Sequence, residues 1–406
     1  MTNASAEDAP LLEGYVPALD GVRGLAILIV MLGHFAIGFE TGGPVDSVLK
    51  TLMQTGWAGV DIFFVLSGFL ITGILLEAKG APRYFRNFYA RRVLRIFPVY
   101  YAFLFLFFVV LPIVKPPAPG GPFDGWNVSQ WWFWAYLSNL QILFPAWPRP
   151  EPLSHFWSLA VEEQFYLFWP AVVLLTTRKG LIRTCVIFMI ISVGLRIWLH
   201  TTAINPTAGY RITPARLDTL GTGALLAVLV RDPVWWARIR RYGPNAIIAC
   251  LVGLVIISIP TRSMLQTGFL IQAIGYTLLA IIGASLIVFS IDPRSTKRRI
   301  VGFLRTSFMR FLGKYSYAMY IFHFPLAWFL ENAGFGVNRY PTVAGSHIPG
   351  VIIFSIITAG LTAIAALISW NLFEKHFLRL KKRFPRADEG QVVVPEAVPA
   401  VSHITF

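Results

Sequence analysis

Apolar residues fill most of this chain in runs that are long enough, or nearly long enough, to cross a bilayer as a helix, which takes about 20 residues. Short polar or charged connections separate the runs. The pattern predicts an all-α polytopic membrane protein with ten transmembrane helices. These lie at about 22–39, 57–78, 96–114, 157–177, 181–200, 214–230, 245–260, 268–290, 315–331 and 348–373. An eleventh segment, 131–144, is shorter and rich in aromatic residues.

The positions of the basic residues predict the orientation of these helices. Basic clusters occur at about 79–95, 178–183, 231–241, 294–314 and 375–386, whereas the alternating connections carry one or two basic residues each. Basic residues concentrate in cytoplasmic loops. All five clusters fall on one side only if 131–144 does not cross, so we expect an interfacial or re-entrant helix there on the outer face. Both termini are then cytoplasmic.

Composition agrees with a membrane protein and excludes a soluble one. Of 406 residues, 56% are hydrophobic and only 14% are charged. The net charge of +15 comes from short blocks between apolar runs, so we expect no nucleic-acid partner. Cys185 and Cys250 lie within apolar segments and lack metal-ligand or disulfide spacing, so no metal is expected.

The chain divides into a membrane domain and two tails. Residues 1–14 are polar and acidic without the basic start of a signal peptide, so the first apolar run should remain in the mature protein. The membrane domain is expected to span 15–378. The tail 379–406 begins basic, which favours contact with anionic membrane lipids, and continues with a Pro/Val/Ala-rich stretch that we expect to be disordered and cytoplasmic.

The first apolar run contains two ionisable residues, Arg23 and His34. Ionisable groups in lipid are costly and usually mark a site. Eleven residues make about three helical turns, so both side chains should share one face roughly 16 Å apart along the axis. The alternative is a snorkelling arginine with an unrelated packed histidine.

A second basic pair, Arg92 and Arg95, precedes the third apolar run. A spacing of three places both guanidinium groups on one helix face, where they are able to clamp a phosphate. An ordinary positive-inside anchor explains the same residues equally well.

The second run contains Asp61, Ser67, Gly68 and Gly73. Small residues permit close approach by another helix or by a narrow linear ligand. Helix packing alone accounts for the glycines. It does not explain Asp61, because a buried carboxylate needs a partner such as an arginine.

The outer end of the fourth run contains adjacent carboxylates, Glu162 and Glu163, among clustered aromatic residues. Polar groups that orient hydroxyls beside stacking rings are typical of a carbohydrate-binding lining. The further candidate substrate contacts here are Trp157, Ser158 and Tyr166. Neighbouring helical residues point about 100° apart, so we expect only one glutamate to face the site squarely.

The ninth run adds Tyr317 and His323 as candidate substrate contacts. Hydrogen bonding to neighbouring hydroxyls gives His323 a structural role as the alternative. His155 and His347 are expected in outer loops, and His376 flanks the last helix.

Together these segments resemble acyltransferase family 3, the membrane proteins that include bacterial O-antigen and cell-wall polysaccharide O-acetyltransferases. Five pieces carry the resemblance in order along 15–377: Leu19-Asp-Gly-Val-Arg23 with His34, Asp61 to Ile71, Arg92 with Arg95, Trp157 to Tyr166, and Ser316-Tyr317 with His323.

The resemblance implies ten membrane helices, acyl-coenzyme A as donor, and a hydroxyl acceptor, usually on a carbohydrate, at the outer face. It makes His34 the essential histidine, Arg23 its motif partner, and Arg92 with Arg95 the coenzyme A contacts. Acetyl is the usual acyl group in this family, and a bacterial inner membrane is the expected location. Some members carry a fused extracytoplasmic transferase domain; we favour direct transfer by this chain.

These roles give a mechanistic hypothesis. The pantetheine arm of the donor enters a channel lined by Ser67, Gly68 and Gly73, with Asp61 in the same helix. His34 removes the acceptor proton, or alternatively becomes acylated itself. Glu162 or Glu163 holds the acceptor or orients a base. The competing hypotheses are a transporter or flippase that uses the ionisable residues as a relay, and a membrane sensor.

Overall fold

The computed structural model describes residues 9–12, 14–117, 123–202, 205–260 and 264–385. The N-terminal tail before residue 9 and the C-terminal tail after residue 385 lie outside the described residues. The part of the predicted C-terminal tail that is described continues helically as Lys375–Arg379 and Leu380–Arg383.

Ten α-helices of 13 or more residues occur in the described ranges, and each overlaps one predicted run. They are α1 (Pro17–Phe35), α2 (Ala58–Glu77), α3 (Tyr84–Phe105), α4 (Trp157–Leu175), α5 (Arg178–Thr201), α6 (Leu217–Leu229), α7 (Pro233–Ser258), α8 (Tyr276–Ile291), α9 (Ser307–Leu330) and α10 (Ile348–Ser369). Shorter helices are Pro44–Met53, Leu111–Val114, Gln130–Trp134, Pro206–Arg211, Arg299–Leu304 and Lys375–Arg379.

Eight helical stretches in the described part of the chain are long and apolar enough to cross a membrane, which supports a multi-pass membrane protein. The two long helices outside that set are α6, which has only 13 residues, and α9, whose first turns carry Arg310 and Lys314. The count of ten spans and the cytoplasmic placement of both termini stay predictions.

Helix α3 begins at Tyr84, twelve residues before the predicted start at residue 96. No glycine or proline interrupts the sequence between Tyr84 and Phe97, so the helix extends through the basic cluster. Arg92 and Arg95 therefore lie within the helix, one turn apart, with Pro98 in the following turn.

The prediction of one helix over 131–144 is wrong. The helix Gln130–Trp134 ends because Tyr136 adopts the left-handed conformation, with φ 52°. Its buried ring stacks on Tyr100, with the ring centroids 4.1 Å apart. Turns and a short 3₁₀ segment, Gln141–Leu143, follow. Packing of a single aromatic ring decides this break, and the local sequence pattern does not reveal it.

Close approach of α2 and α6 explains two of the glycines. A Cβ added to Gly68 would collide with the backbone carbonyl of Leu220, and one added to Gly223 would collide with that of Val65. Helix packing is therefore the role that the structure gives Gly68, in keeping with small residues at intramembrane helix interfaces.

Two buried ion pairs join α2, α5 and α6. Asp61 accepts a hydrogen bond from Arg216, and both side chains are fully buried. Arg196 donates to Asp218 at 2.7 Å. The Arg216 guanidinium also stacks on Tyr276, 4.2 Å from the ring centroid. The expectation that Asp61 needs a partner such as an arginine is confirmed, and that partner comes from a helix 155 residues away in sequence.

Replacing Asp61 by alanine should lower the free energy of unfolding by about 3–5 kcal/mol, because it leaves Arg216 charged and buried without its carboxylate. Thermal unfolding of the detergent-solubilised protein measures the effect. Arg178→Gln is the matched control, since Arg178 forms an exposed pair with Asp232 at 2.9 Å and should cost less than about 1 kcal/mol. Equal losses from the two substitutions would contradict the structural role of the buried pair.

Candidate active site

Two of the cavities that contain residues of α1 also contain predicted site residues from other helices. The first, here called the arginine cavity, has a volume of about 140 Å³ and is lined by Arg23, Arg92 and Arg95 together with polar residues of α2, α4 and α9. The second, here called the histidine cavity, has a volume of about 280 Å³ and contains His34 and His155 in its wall.

Three guanidinium groups from two helices converge on the arginine cavity. Arg23 donates to Asp20 on the preceding turn at 2.6 Å. Arg92 lies 5.8 Å from the Tyr166 ring centroid, and neither Arg92 nor Arg95 forms an ion pair with the residues that the structure describes. Because Arg92 and Arg95 are not held in ion pairs, their guanidinium groups are suited to binding an anionic ligand.

Both Glu162 and Glu163 line the arginine cavity. This differs from the expectation that only one of them would face a site, because the α4 residues that line the cavity form one broad stripe, about 140° wide at 100° per residue, that includes both glutamates. It also moves the two carboxylates from a separate sugar-binding lining to the same space as the arginines. Tyr166 donates to Glu162 at 3.3 Å and is also hydrogen-bonded to Ser67.

The other predicted site residues separate into three groups. Ser67, Ser158, Tyr166 and Tyr317 line the arginine cavity. Trp157 lines the histidine cavity instead. Asp61, Gly68 and Gly73 line neither cavity, so the structure does not place them where the predicted donor channel requires them.

Three histidines meet beside the histidine cavity. His34 Nδ1 lies 2.8 Å from His323 Nε2. The His155 ring centroid lies 5.0 Å from that of His323 and 6.2 Å from that of His34. His155 lies in the connection before α4, as predicted, but it is only 2% exposed because this segment folds inward as a 3₁₀ turn.

The hydrogen bonds of His323 determine which ring nitrogen of neutral His34 carries the lone pair and is able to accept a proton. His323 Nδ1 lies 2.8 Å from the Tyr320 carbonyl oxygen and 3.1 Å from that of Met319. Carbonyl oxygens only accept, so this nitrogen must carry the proton. In the neutral ring, His323 Nε2 is then an acceptor, and it accepts a hydrogen bond from the Nδ1–H of His34. Neutral His34 therefore keeps its lone pair on Nε2.

Val60 and Tyr320 line both cavities and therefore lie between them. The Tyr320 hydroxyl is 2.5 Å from Ser158 Oγ. Arg23 and His34 share α1 as predicted, but they face different cavities. A ligand that contacts the arginines must therefore pass Tyr320 to reach His34.

Sequence reasoning gave no site role to three residues that line these cavities, His155, Tyr320 and Arg211, and no role to Arg196, which lines neither cavity and pairs with Asp218. His155 lies just before the fourth apolar run and Arg211 just before the sixth. A polar residue at the boundary of an apolar run is the sequence feature that could have marked each of them as a site residue. Tyr320 lies three residues before His323, one helical turn away. Arg196 lies within an apolar run, which by itself marks a costly group that needs a partner.

Comparison with known proteins shows extended similarity. A family model described as an acyltransferase domain matches residues 16–370. The O-acetyltransferase OatA of Staphylococcus aureus is 32% identical over 425 aligned residues, covering 95% of this chain and 62% of that protein. The peptidoglycan O-acetyltransferase OatA of Listeria monocytogenes is 30% identical, covering 77% of this chain and 49% of that protein.

The putative peptidoglycan O-acetyltransferase YrhL of Bacillus subtilis is 29% identical, again over 77% of this chain, and 48% of that protein is covered. The chain thus spans about half to three fifths of the length of these curated relatives. No solved structure matches.

Proposed function

This chain belongs to the acyltransferase family whose model covers residues 16–370, and from that premise we propose that it transfers an acetyl group from cytoplasmic acetyl-coenzyme A to a hydroxyl of an extracytoplasmic carbohydrate. The relatives named as peptidoglycan O-acetyltransferases suggest a cell-wall glycan as acceptor. The bacterial inner membrane is the location that such a reaction requires.

The observation that carries the proposal is the pairing of one arginine-lined cavity with one histidine-lined cavity across a thin wall. Coenzyme A has phosphates at one end and a thioester at the far end of a long arm. Arg92, Arg95 and Arg23 supply the cations for the phosphates, since Arg92 and Arg95 lack ion-pair partners in the described chain. The thioester then reaches His34 past Tyr320.

His34 acts as the general base in this proposal. Its Nε2 lone pair, fixed by the hydrogen bond to His323, accepts the proton of the acceptor hydroxyl as the oxygen attacks the thioester carbon. The C–S bond breaks, the acyl group passes to the acceptor oxygen, and the thiolate of coenzyme A takes up the proton that His34 has accepted, which returns His34 to its neutral form. His323 touches neither cavity, so its role is to orient His34 rather than to contact substrate.

Thiol release tests the proposal directly. Detergent-purified protein is mixed with acetyl-coenzyme A and peptidoglycan fragments, and free thiol is followed with a thiol reagent while mass spectrometry follows acetylation of the glycan. We expect both signals only when donor and acceptor are present together. A transporter or flippase would produce neither signal, and acceptor-independent thiol release at the same rate would contradict direct transfer.

Replacing Arg92 and Arg95 together by glutamine should raise the KM for acetyl-coenzyme A by roughly 10- to 100-fold, because each phosphate contact by a cation is a charge-assisted hydrogen bond. The value of kcat should change much less. Steady-state thiol release measures both constants. The control is Arg178→Gln, which removes a cation remote from both cavities; an unchanged donor KM in the double variant would assign Arg92 and Arg95 to membrane topology.

A further inference from the structure

Arg211 is a cation without a counter-ion in the wall of the histidine cavity. It ends the short helix Pro206–Arg211, and it forms no ion pair or hydrogen bond with any described residue. Its Nε is buried without a partner. Burial lowers the pKa of the Arg211 guanidinium, which means that its surroundings disfavour the charged form.

No carboxylate is available to Arg211 from the cavity wall. The described residues that line the histidine cavity include no aspartate or glutamate. Segments 118–122, 203–204 and 261–263, which the structure leaves undescribed, contain none in the sequence either. By contrast, Arg196 and Arg216, the fully buried arginines among the described residues, each pair with an aspartate.

The remaining surface of the cavity suits a sugar ring. Trp157 lies 4.5 Å from Tyr210 between ring centroids, and Trp57 lies 6.3 Å from the same tyrosine. Gln54 and Gln266 also line the cavity. Aromatic faces with a few convergent polar groups are the usual lining of a small-molecule pocket, and His34 lies in the same wall.

We propose that the histidine cavity binds an acceptor that carries an oxyanion, a carboxylate or a phosphate, and that Arg211 holds this oxyanion while a hydroxyl of the same molecule lies at His34. The inference rests on the proposed function in taking the ligand as the acyl acceptor. A carboxylate would belong to an acidic sugar, and a phosphate would belong to a lipid-linked or phosphorylated sugar. Arg211 thereby selects charged acceptors over neutral ones.

A binding experiment without any acyl donor tests this site. Glucuronate, glucose 1-phosphate and glucose share one sugar ring and differ in charge and in the chemistry of the anion. Their dissociation constants are measured by thermal shift or calorimetry on the full-length protein in detergent at matched ionic strength. We expect one or both charged sugars to bind roughly 10- to 100-fold more tightly than glucose. The tighter of the two identifies the anion source.

Variants of the two cavities show which cavity produces the preference for a charged sugar. Arg211→Gln should reduce the affinity for the charged sugar to that for glucose, and Arg211→Lys should retain part of the preference. The Arg92→Gln/Arg95→Gln variant, which removes cations of the other cavity, should keep the preference intact. A preference that survives Arg211→Gln, or one that disappears only in the Arg92/Arg95 variant, would overturn the proposal.

If Arg211→Gln does not fold, the affinities of the wild-type protein for the three sugars still test the oxyanion site. Equal affinity for glucose and both charged sugars, or no binding of any charged sugar, contradicts an oxyanion site. Because acyl donor is absent throughout, these outcomes are independent of whether the protein releases thiol from acetyl-coenzyme A. Failure of the acyl-transfer proposal and failure of the oxyanion site are therefore read from different measurements.

Discussion

Replacing His34 by alanine should reduce acyl transfer at saturating substrates by roughly 10²- to 10⁴-fold, the usual contribution of a positioned general base. The reason is geometric. His34 is held by His323 at 2.8 Å, lines the histidine cavity, and presents its unprotonated Nε2 away from that bond. Alanine removes the group that the proposal assigns to take the acceptor proton.

The measurement is kcat for thiol release together with acetylated product. His376→Ala is the matched control, because His376 is exposed and bonds only to the carbonyl oxygen of Asn371. Thermal unfolding confirms that the His34 variant is folded. A folded His34→Ala protein with kcat near that of the wild type would reject His34 as the base and would favour a transport function for the two cavities.

Two substitutions of His323 should differ sharply in activity. The amide of glutamine reaches the position of the imidazole Nε2, and its oxygen is able to accept a hydrogen bond from His34 Nδ1–H. Asparagine is shorter and reaches only the position of Nδ1, so it preserves donation to the Tyr320 carbonyl but leaves His34 without its acceptor. We expect kcat to fall by roughly 10- to 100-fold in His323→Asn, and by much less in His323→Gln.

The division between kcat and KM separates orientation from substrate binding. His323 lines neither cavity, so the KM values for donor and acceptor should stay close to those of the wild type in both variants. Equal losses of kcat in the two variants would contradict the proposed tautomer. A raised acceptor KM with unchanged kcat would return His323 to the substrate-binding role that its position in the sequence suggested.

Several features of the site follow from local sequence. An arginine and a histidine in the same apolar run mark Arg23 and His34, since ionisable groups in lipid are costly wherever the helix packs. The i, i+3 spacing of Arg92 and Arg95 places them on one face, and both line the arginine cavity. The same cost of burial predicts a partner for Asp61. That the partner is Arg216, which is remote in sequence, is known only from the structure.

Other features depend on how distant segments pack. His155 appeared to be a loop residue because it precedes the fourth run, yet the chain turns it inward against His34 and His323. Glu162 and Glu163 appeared to form a separate lining, yet α3 and α4 place them with the arginines. The break at Tyr136 depends on stacking against Tyr100, which belongs to a different helix.

The amino-acid sequence by itself determined the helical runs and the residues whose burial is too costly to be accidental, because hydrophobicity and charge act on each segment separately. Only the tertiary structure decided that Arg23 and His34 face different cavities, that Arg211 has no counter-ion among the described residues, and that His34 keeps its lone pair on Nε2. The physical reason is that such features arise from contacts such as the one between His34 and His323, which are separated by 289 residues and brought to hydrogen-bonding distance only by the packing of α1 against α9.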